Sequence, residues 1–155
     1  MSERQLVIFE LENESYGVDI SAVESIIKMQ PIVALPHTPK YVLGVTNLRG
    51  LVLPVVDLRE RFGLPAKEET GFSRIVVVHL GETQVGMMVD DVSEVVTIHD
   101  NRIEPPPGLV SNQQSRFIEG ILQMEDGRLV ILLDLEKIFT AEENSALAGL
   151  EEPAG

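Results

Sequence analysis

At 155 residues the chain suits one compact domain or two small barrels with a shared core, and its 44% hydrophobic content is that of a globular protein. A formal net charge of -13, with only 5% aromatics and no Trp, argues against nucleic acid and anionic membrane surfaces as partners. There is no Cys for disulfide or thiolate chemistry, no apolar run exceeds strand length, and the N-terminal Met-Ser-Glu-Arg-Gln lacks a secretory apolar region, so a cytoplasmic protein without membrane insertion is expected.

Short strands rich in Val, Ile and Leu are expected at 5–11, 16–20, 24–29, 44–48 and 51–56. A second set follows at 74–80, 84–89, 92–98, 117–124 and 128–133. Helix is scarce. Asp57, with Glu60 three residues on, forms a capping-box pattern that starts one or two turns. Asp134 starts a counterpart without that second carboxylate, and Thr140 with Glu143 opens a C-terminal helix expected to fray after Gly149. Loops are expected at 31–39, 63–71 and 99–114. The last holds Pro105-Pro106-Pro107, read as a stiffened loop because no basic residue is placed to orient a polyproline contact.

The two halves repeat one another. Leu11 to Ile27 aligns without a gap on Leu80 to Val96, and Gly44 to Phe62 returns as Gly120 to Phe139 with one extra residue at the turn. A duplicated series of short strands predicts an all-β fold of two small antiparallel barrels, because closure removes exposed sheet edges. The expected division is a first barrel over about 5–72, a second over about 73–140, and a helix with an acidic tail over 141–155, strand exchange between the barrels being left open.

Chemical motifs are sparse. His37, His79 and His99 lack metal-ligand spacing, and there is neither a phosphate-binding Gly loop nor a nucleophile elbow, so no metal, cofactor or catalytic group is expected. Asp57 and Asp134 are equivalent by the duplication, as the two aspartates of an aspartic protease would be. Each is followed by Leu and a helical pattern rather than Ser/Thr-Gly, so helix capping accounts for both. The glycines at 17, 86, 44 and 120 read as bulges or close approaches, and those at 50 and 127 as turn residues. One position resists such an account. The acidic turn Met124-Glu-Asp-Gly127 is replaced in the first copy by the shorter, basic Asn47-Leu-Arg-Gly50, which makes Arg49 the candidate for function or for a brace onto Glu24.

Tyr16-Gly-Val-Asp-Ile20, Gly44-Val-Thr-Asn-Leu-Arg-Gly50, Leu53-Pro-Val-Val-Asp-Leu-Arg59 and Val85-Gly-Met-Met-Val-Asp-Asp-Val-Ser-Glu-Val95 closely resemble the CheW family of bacterial chemotaxis coupling proteins. The resemblance covers about 5–139. It implies two SH3-like five-stranded barrels packed together, with short helices and no catalytic centre. It also implies an adaptor that couples the cytoplasmic tips of chemoreceptors (methyl-accepting chemotaxis proteins) to the regulatory domain of the histidine kinase CheA in membrane-associated arrays. By the same resemblance Val23, Ile26, Gly44, Asn47, Arg49 and Val89 would meet the receptor, and Gly50, Gly86 and Gly120 the kinase, mainly on the second barrel. Some members carry an acid at the position of Ser25 that faces the turn arginine. Here the acid is Glu24, one step along the strand, which points an Arg49 pair away from that strand. The alternatives are a related adaptor of a non-flagellar chemosensory system and a peptide-binding barrel.

Overall fold

The computed structural model describes residues 3–99, 102–105 and 117–151. In chain order the strands are β1 (Glu3–Leu11), β2 (Glu14–Asp19), β3 (Val23–Lys28), β4 (Val42–Leu48), β5 (Leu51–Asp57), β6 (Arg74–Leu80), β7 (Thr83–Val89), β8 (Asp91–His99), β9 (Ile103–Glu104), β10 (Ile118–Gln123) and β11 (Leu129–Leu133). Helix α1 (Leu58–Arg61) follows β5, and α2 (Ala141–Glu151) closes the described chain. The short β9 falls in a segment expected to be loop. Pro106 and Pro107 of the proline triplet lie outside the described residues.

One sheet runs β3-β6-β7-β5-β4 and the other β8-β1-β2-β11-β10-β9. Placed in repeat register, the first five strands of each correspond one to one. Both contain a single parallel pairing, β5 with β7 and β11 with β2. The architecture is the expected pair of SH3-like units, but the barrels do not follow the halves of the chain. Hairpin β1–β2 leaves the first half to complete the second barrel, and β6–β7 leaves the second half to complete the first. An expected boundary near 72/73 therefore divides the repeats, not the barrels. The exchange is reciprocal, so each strand keeps the same kind of neighbour and the repeat pattern is blind to it.

Three apolar clusters result. Leu6 and Ile8 fill the second barrel with Leu122, Val130 and Leu132. Ile75 and Val77 fill the first with Leu53 and Val55. The alternate residues, Val7 and Phe9 on β1 and Val76 and Val78 on β6, meet in a shared core between the barrels. Both faces of these strands are buried, which is why they read as continuous apolar runs instead of alternating ones. Each fully buried aliphatic side chain there contributes about 1.5–3 kcal/mol, so the shared core is a strong join between the units.

The expected caps form. Asp57 Oδ1 accepts from the Arg59 N–H at 2.9 Å, and Asp134 Oδ1 accepts from the Glu136 N–H at 3.1 Å. The Asp57 N–H donates to the Tyr41 carbonyl at 2.7 Å and not to Glu60, so the reciprocal half of that capping box does not form, and the turn after Asp134 is a short 3₁₀ segment, Leu135–Lys137. At α2 the box is complete: the Glu143 N–H donates to Thr140 Oγ1 at 3.1 Å, and the Thr140 N–H to Glu143 Oε1 at 2.7 Å. Burial raises the Asp57 carboxyl above the ordinary aspartate range, against the opposing N–H bonds of its cap. Its charged form is thus disfavoured by folding as pH rises through the folded value. Asp57→Ala is expected to cost about 1 kcal/mol for the lost cap. Asp57→Asn retains an acceptor without the buried charge and is expected to match or exceed the parent at neutral pH, the gain vanishing below the ordinary aspartate range; urea midpoints at the two pH values check this.

Candidate functional site

The β4–β5 hairpin carries Arg49. Leu48 pairs with Leu51, leaving Arg49 and Gly50 as a two-residue loop with φ of 52° and 87°. Positive φ at both positions is the type I′ turn, whose twist matches the flanking strands and which favours Asn or Gly at its first position. An arginine in this conformation costs roughly 1–2 kcal/mol. The second copy avoids that cost: its extra residue gives a longer turn in which Gly127 alone has positive φ, and Asp126 Oδ1 accepts from the Arg128 N–H at 2.9 Å.

The tip around Arg49 is held by its surroundings. Asn47 Oδ1 accepts from the Gly50 N–H at 2.8 Å, and Gln30 Nε2 donates to the Asn47 carbonyl at 2.6 Å and to Thr46 Oγ1 at 2.8 Å. Thr46 Oγ1 in turn donates to the Pro31 carbonyl at 2.7 Å. The segment from Pro31 also lies along β4, where Val33 and Val45 exchange backbone bonds of 2.8 and 2.9 Å. Beside the turn, Pro31, Val33, Val45, Leu51 and Val52 line an apolar cleft, with Val33 64% exposed. Among the described residues the exposed Arg49 side chain has no ion-pair or hydrogen-bond partner. The other described arginines all have partners: Arg4, Arg59, Arg61, Arg102 and Arg128 meet carboxylates, and Arg74 meets carbonyls. Glu24, the candidate brace, instead holds His79 Nε2 at 2.5 Å.

The other expected contact residues separate into exposed and buried groups. Val23 and Ile26 lie on β3 at the edge of the first sheet, with Val23 packed against the shared core and Ile26 39% exposed. Val89 is only 1% exposed inside the shared core and offers no surface. Gly44 is buried, with the backbone of Val33 and Ala34 where a side chain would go. Gly50 stands beside Arg49 on the first barrel. Gly86 is on β7, which the exchange places in the first barrel, and a Cβ there would meet Ile75 at 2.7 Å. Gly120 does lie in the second barrel, covered by Ile103 and the Glu104 carbonyl. Gly44, Gly86 and Gly120 therefore shape the barrels from within and present no contact surface.

A family model for the CheW-like domain matches residues 5–143. The chain belongs to the CheW-like domain family. This CheW-like chain is 40% identical over 143 residues to the chemotaxis protein CheW of Rhizobium meliloti, covering 92% of each chain. It is 33% identical over 142 residues to that of Bacillus subtilis, covering 92% of this chain and 90% of the other. The crystal structure of the scaffolding protein TtCheW from Thermoanaerobacter tengcongensis superposes with a TM-score of 0.83 at 36% identity, over 90% of this chain and 94% of that one. The relatives are named as chemotaxis proteins, and the superposed structure as a scaffolding protein. In this CheW-like fold Asp57 and Asp134 each accept from a backbone N–H of their own turn, as the capping reading expects. No described helix is long and apolar enough to cross a membrane.

Two residues beside the turn, Gln30 and Val33, carry no signal in the sequence. They sit in a proline-broken loop with no periodicity to reveal that it lies against β4. Val95 was legible through the repeat: it aligns with Ile26, occupies the equivalent edge strand β8, and is 52% exposed.

Proposed function

We propose that this protein is a chemotaxis adaptor that joins the cytoplasmic tips of chemoreceptors to the histidine kinase CheA. The observation that carries the reading is Arg49, an arginine without a partner among the described residues, in a costly backbone conformation, on a turn that surrounding side chains hydrogen-bond. A local rule broken with no compensating contact within the fold marks a residue kept for an external partner. A receptor hairpin is helical, and an apolar stripe with an acidic side chain would match Ile26, Val23 and the cleft beside Arg49. The kinase regulatory domain would take the second barrel, leaving the two contacts on opposite units of one body. Such contacts are modest singly and gain strength from many copies in an array.

Reconstitution tests the proposal. The protein is mixed with a receptor cytoplasmic fragment and CheA, and ATP-dependent autophosphorylation of the kinase is followed. Receptor-dependent stimulation that requires the adaptor is the expected result; a kinase indifferent to its presence would sink the reading.

A further inference from the structure

From strand to strand the described chain crosses between the barrels at two places, through the 3₁₀ turn Ile20–Ala22 and through Asp90, which separates β7 from β8; after β11 of the second barrel it passes once more to the first, where α2 packs on β5 and β7. At the Asp90 crossing an arginine of one barrel reaches carboxylates on the other barrel and on the crossing itself. Arg59 of α1, 4% exposed, donates from Nη1 to Asp90 Oδ2 at 2.6 Å, from Nη2 to Glu12 Oε2, and from Nε to the Pro65 carbonyl at 3.0 Å. Glu12 lies in the β1–β2 turn of the second barrel, while α1 extends from β5 of the first. The same Asp90 oxygen also accepts the Glu12 N–H at 3.0 Å, and the Asp90 N–H donates to the Glu10 carbonyl at 3.0 Å. One guanidinium thus ties the end of one barrel, a turn of the other and the strand crossing between them.

The repeat shows that this cluster is not a requirement of the fold. The positions equivalent to Arg59, Glu12 and Asp90 are Glu136, Gly81 and Ser21, which cannot build it, yet that end of the pseudo-symmetric body forms the same strands. At that crossing Asp19 Oδ1 accepts from the Ser21 N–H and hydroxyl at 3.0 and 2.7 Å, and Asp19 Oδ2 from Arg4 Nε at 3.2 Å, but Arg4 and its second carboxylate, Glu119, belong to the same barrel as Asp19 and tie nothing across to the other. A cluster of this kind, with Arg59 buried and Glu12 exposed, is a poor source of net stability beside apolar packing, but its directional bonds select a single arrangement of the parts that meet there. The shared core joins the barrels through apolar surfaces, aliphatic and aromatic, whose contacts are less directional than the bonds of an ion cluster.

We infer that Arg59 is a positioning residue that fixes the angle between the two barrels through Glu12 and Asp90, so that surfaces on the two units act as one rigid body. The inference concerns the protein alone; its consequence for signalling rests on the adaptor reading above.

The absence of cysteine makes the test direct. Lys28→Cys on β3 and Thr97→Cys on β8 place a spin label on an exposed site of each barrel, and pulsed electron resonance reads the distance between them. The parent is expected to give one narrow distribution. Arg59→Ala, and separately the isosteric pair Glu12→Gln with Asp90→Asn, are expected to widen it about twofold or more with strand content unchanged by circular dichroism. If Arg59→Ala does not fold, the isosteric pair decides. A distribution as narrow as the parent's in the folded variants overturns the inference. In the reconstituted system the same variants are expected to bind receptor fragment and kinase separately as the parent does, while stimulation falls about tenfold. Loss of both separate affinities would equally overturn the positioning role. A parent protein that stimulates nothing would count against the adaptor reading and leave the distance measurement to decide this one.

Discussion

Arg49→Glu is expected to leave the fold intact and abolish receptor-dependent stimulation of the kinase. The residue is exposed and contributes no internal contact, so its replacement removes nothing that holds the hairpin together. Glutamate inherits the same strained backbone and is expected to alter stability by no more than about 0.5 kcal/mol, as surface substitutions usually do. At an interface the reversal is severe, because a carboxylate meeting an arginine becomes a carboxylate meeting a carboxylate, and losing a close charge pair costs about 2–5 kcal/mol. Arg49→Asn separates the two roles more sharply. Asparagine suits the first position of a type I′ turn, so a stability gain of roughly 1 kcal/mol, read as a higher urea midpoint, is expected together with lost stimulation. A variant that is more stable and inactive identifies a residue retained at the expense of folding. Full stimulation by either folded variant would remove Arg49 from the site.

What could be read from the sequence follows from what local pattern encodes. The caps at Asp57, Asp134 and Thr140 were legible because capping is settled within three residues, and all three form. The duplication disclosed two barrels and singled out Arg49, since the copies differ where folding alone gives no reason to differ. It could not disclose the exchange of β1–β2 and β6–β7, because swapping equivalent hairpins leaves every neighbour relation unchanged. For that reason Gly86 was assigned to the wrong barrel. Val89 was misplaced for another reason: an apolar residue on a strand with two buried faces carries no sign of which face reaches solvent. The Arg59 cluster escaped notice because its members, Glu12, Arg59 and Asp90, are far apart in sequence and each is unremarkable alone.

Α second effect of comparable size is expected from Gly44→Ala, and it acts on stability. Gly44 has a φ of 144°, and a Cβ there would overlap the Val33 carbonyl and come within 2.9 Å of Ala34 Cα. Those atoms are backbone, so no side-chain rotation relieves the clash. Either β4 distorts or the segment around Val33 moves away, breaking its paired bonds with Val45 and dislodging the Pro31 carbonyl from Thr46. Backbone strain and overpacking together are expected to cost about 3–5 kcal/mol, read as a fall in the urea midpoint. Gly50→Ala supplies the control. Gly50 also has positive φ, at 87°, but nothing lies within 4 Å of a Cβ built there, so only the backbone preference of about 1 kcal/mol is expected. The difference between the two variants therefore measures how firmly the segment around Val33 is seated on β4. If Gly44→Ala is no worse than Gly50→Ala, that segment moves freely, and it cannot be what holds the Arg49 turn in place.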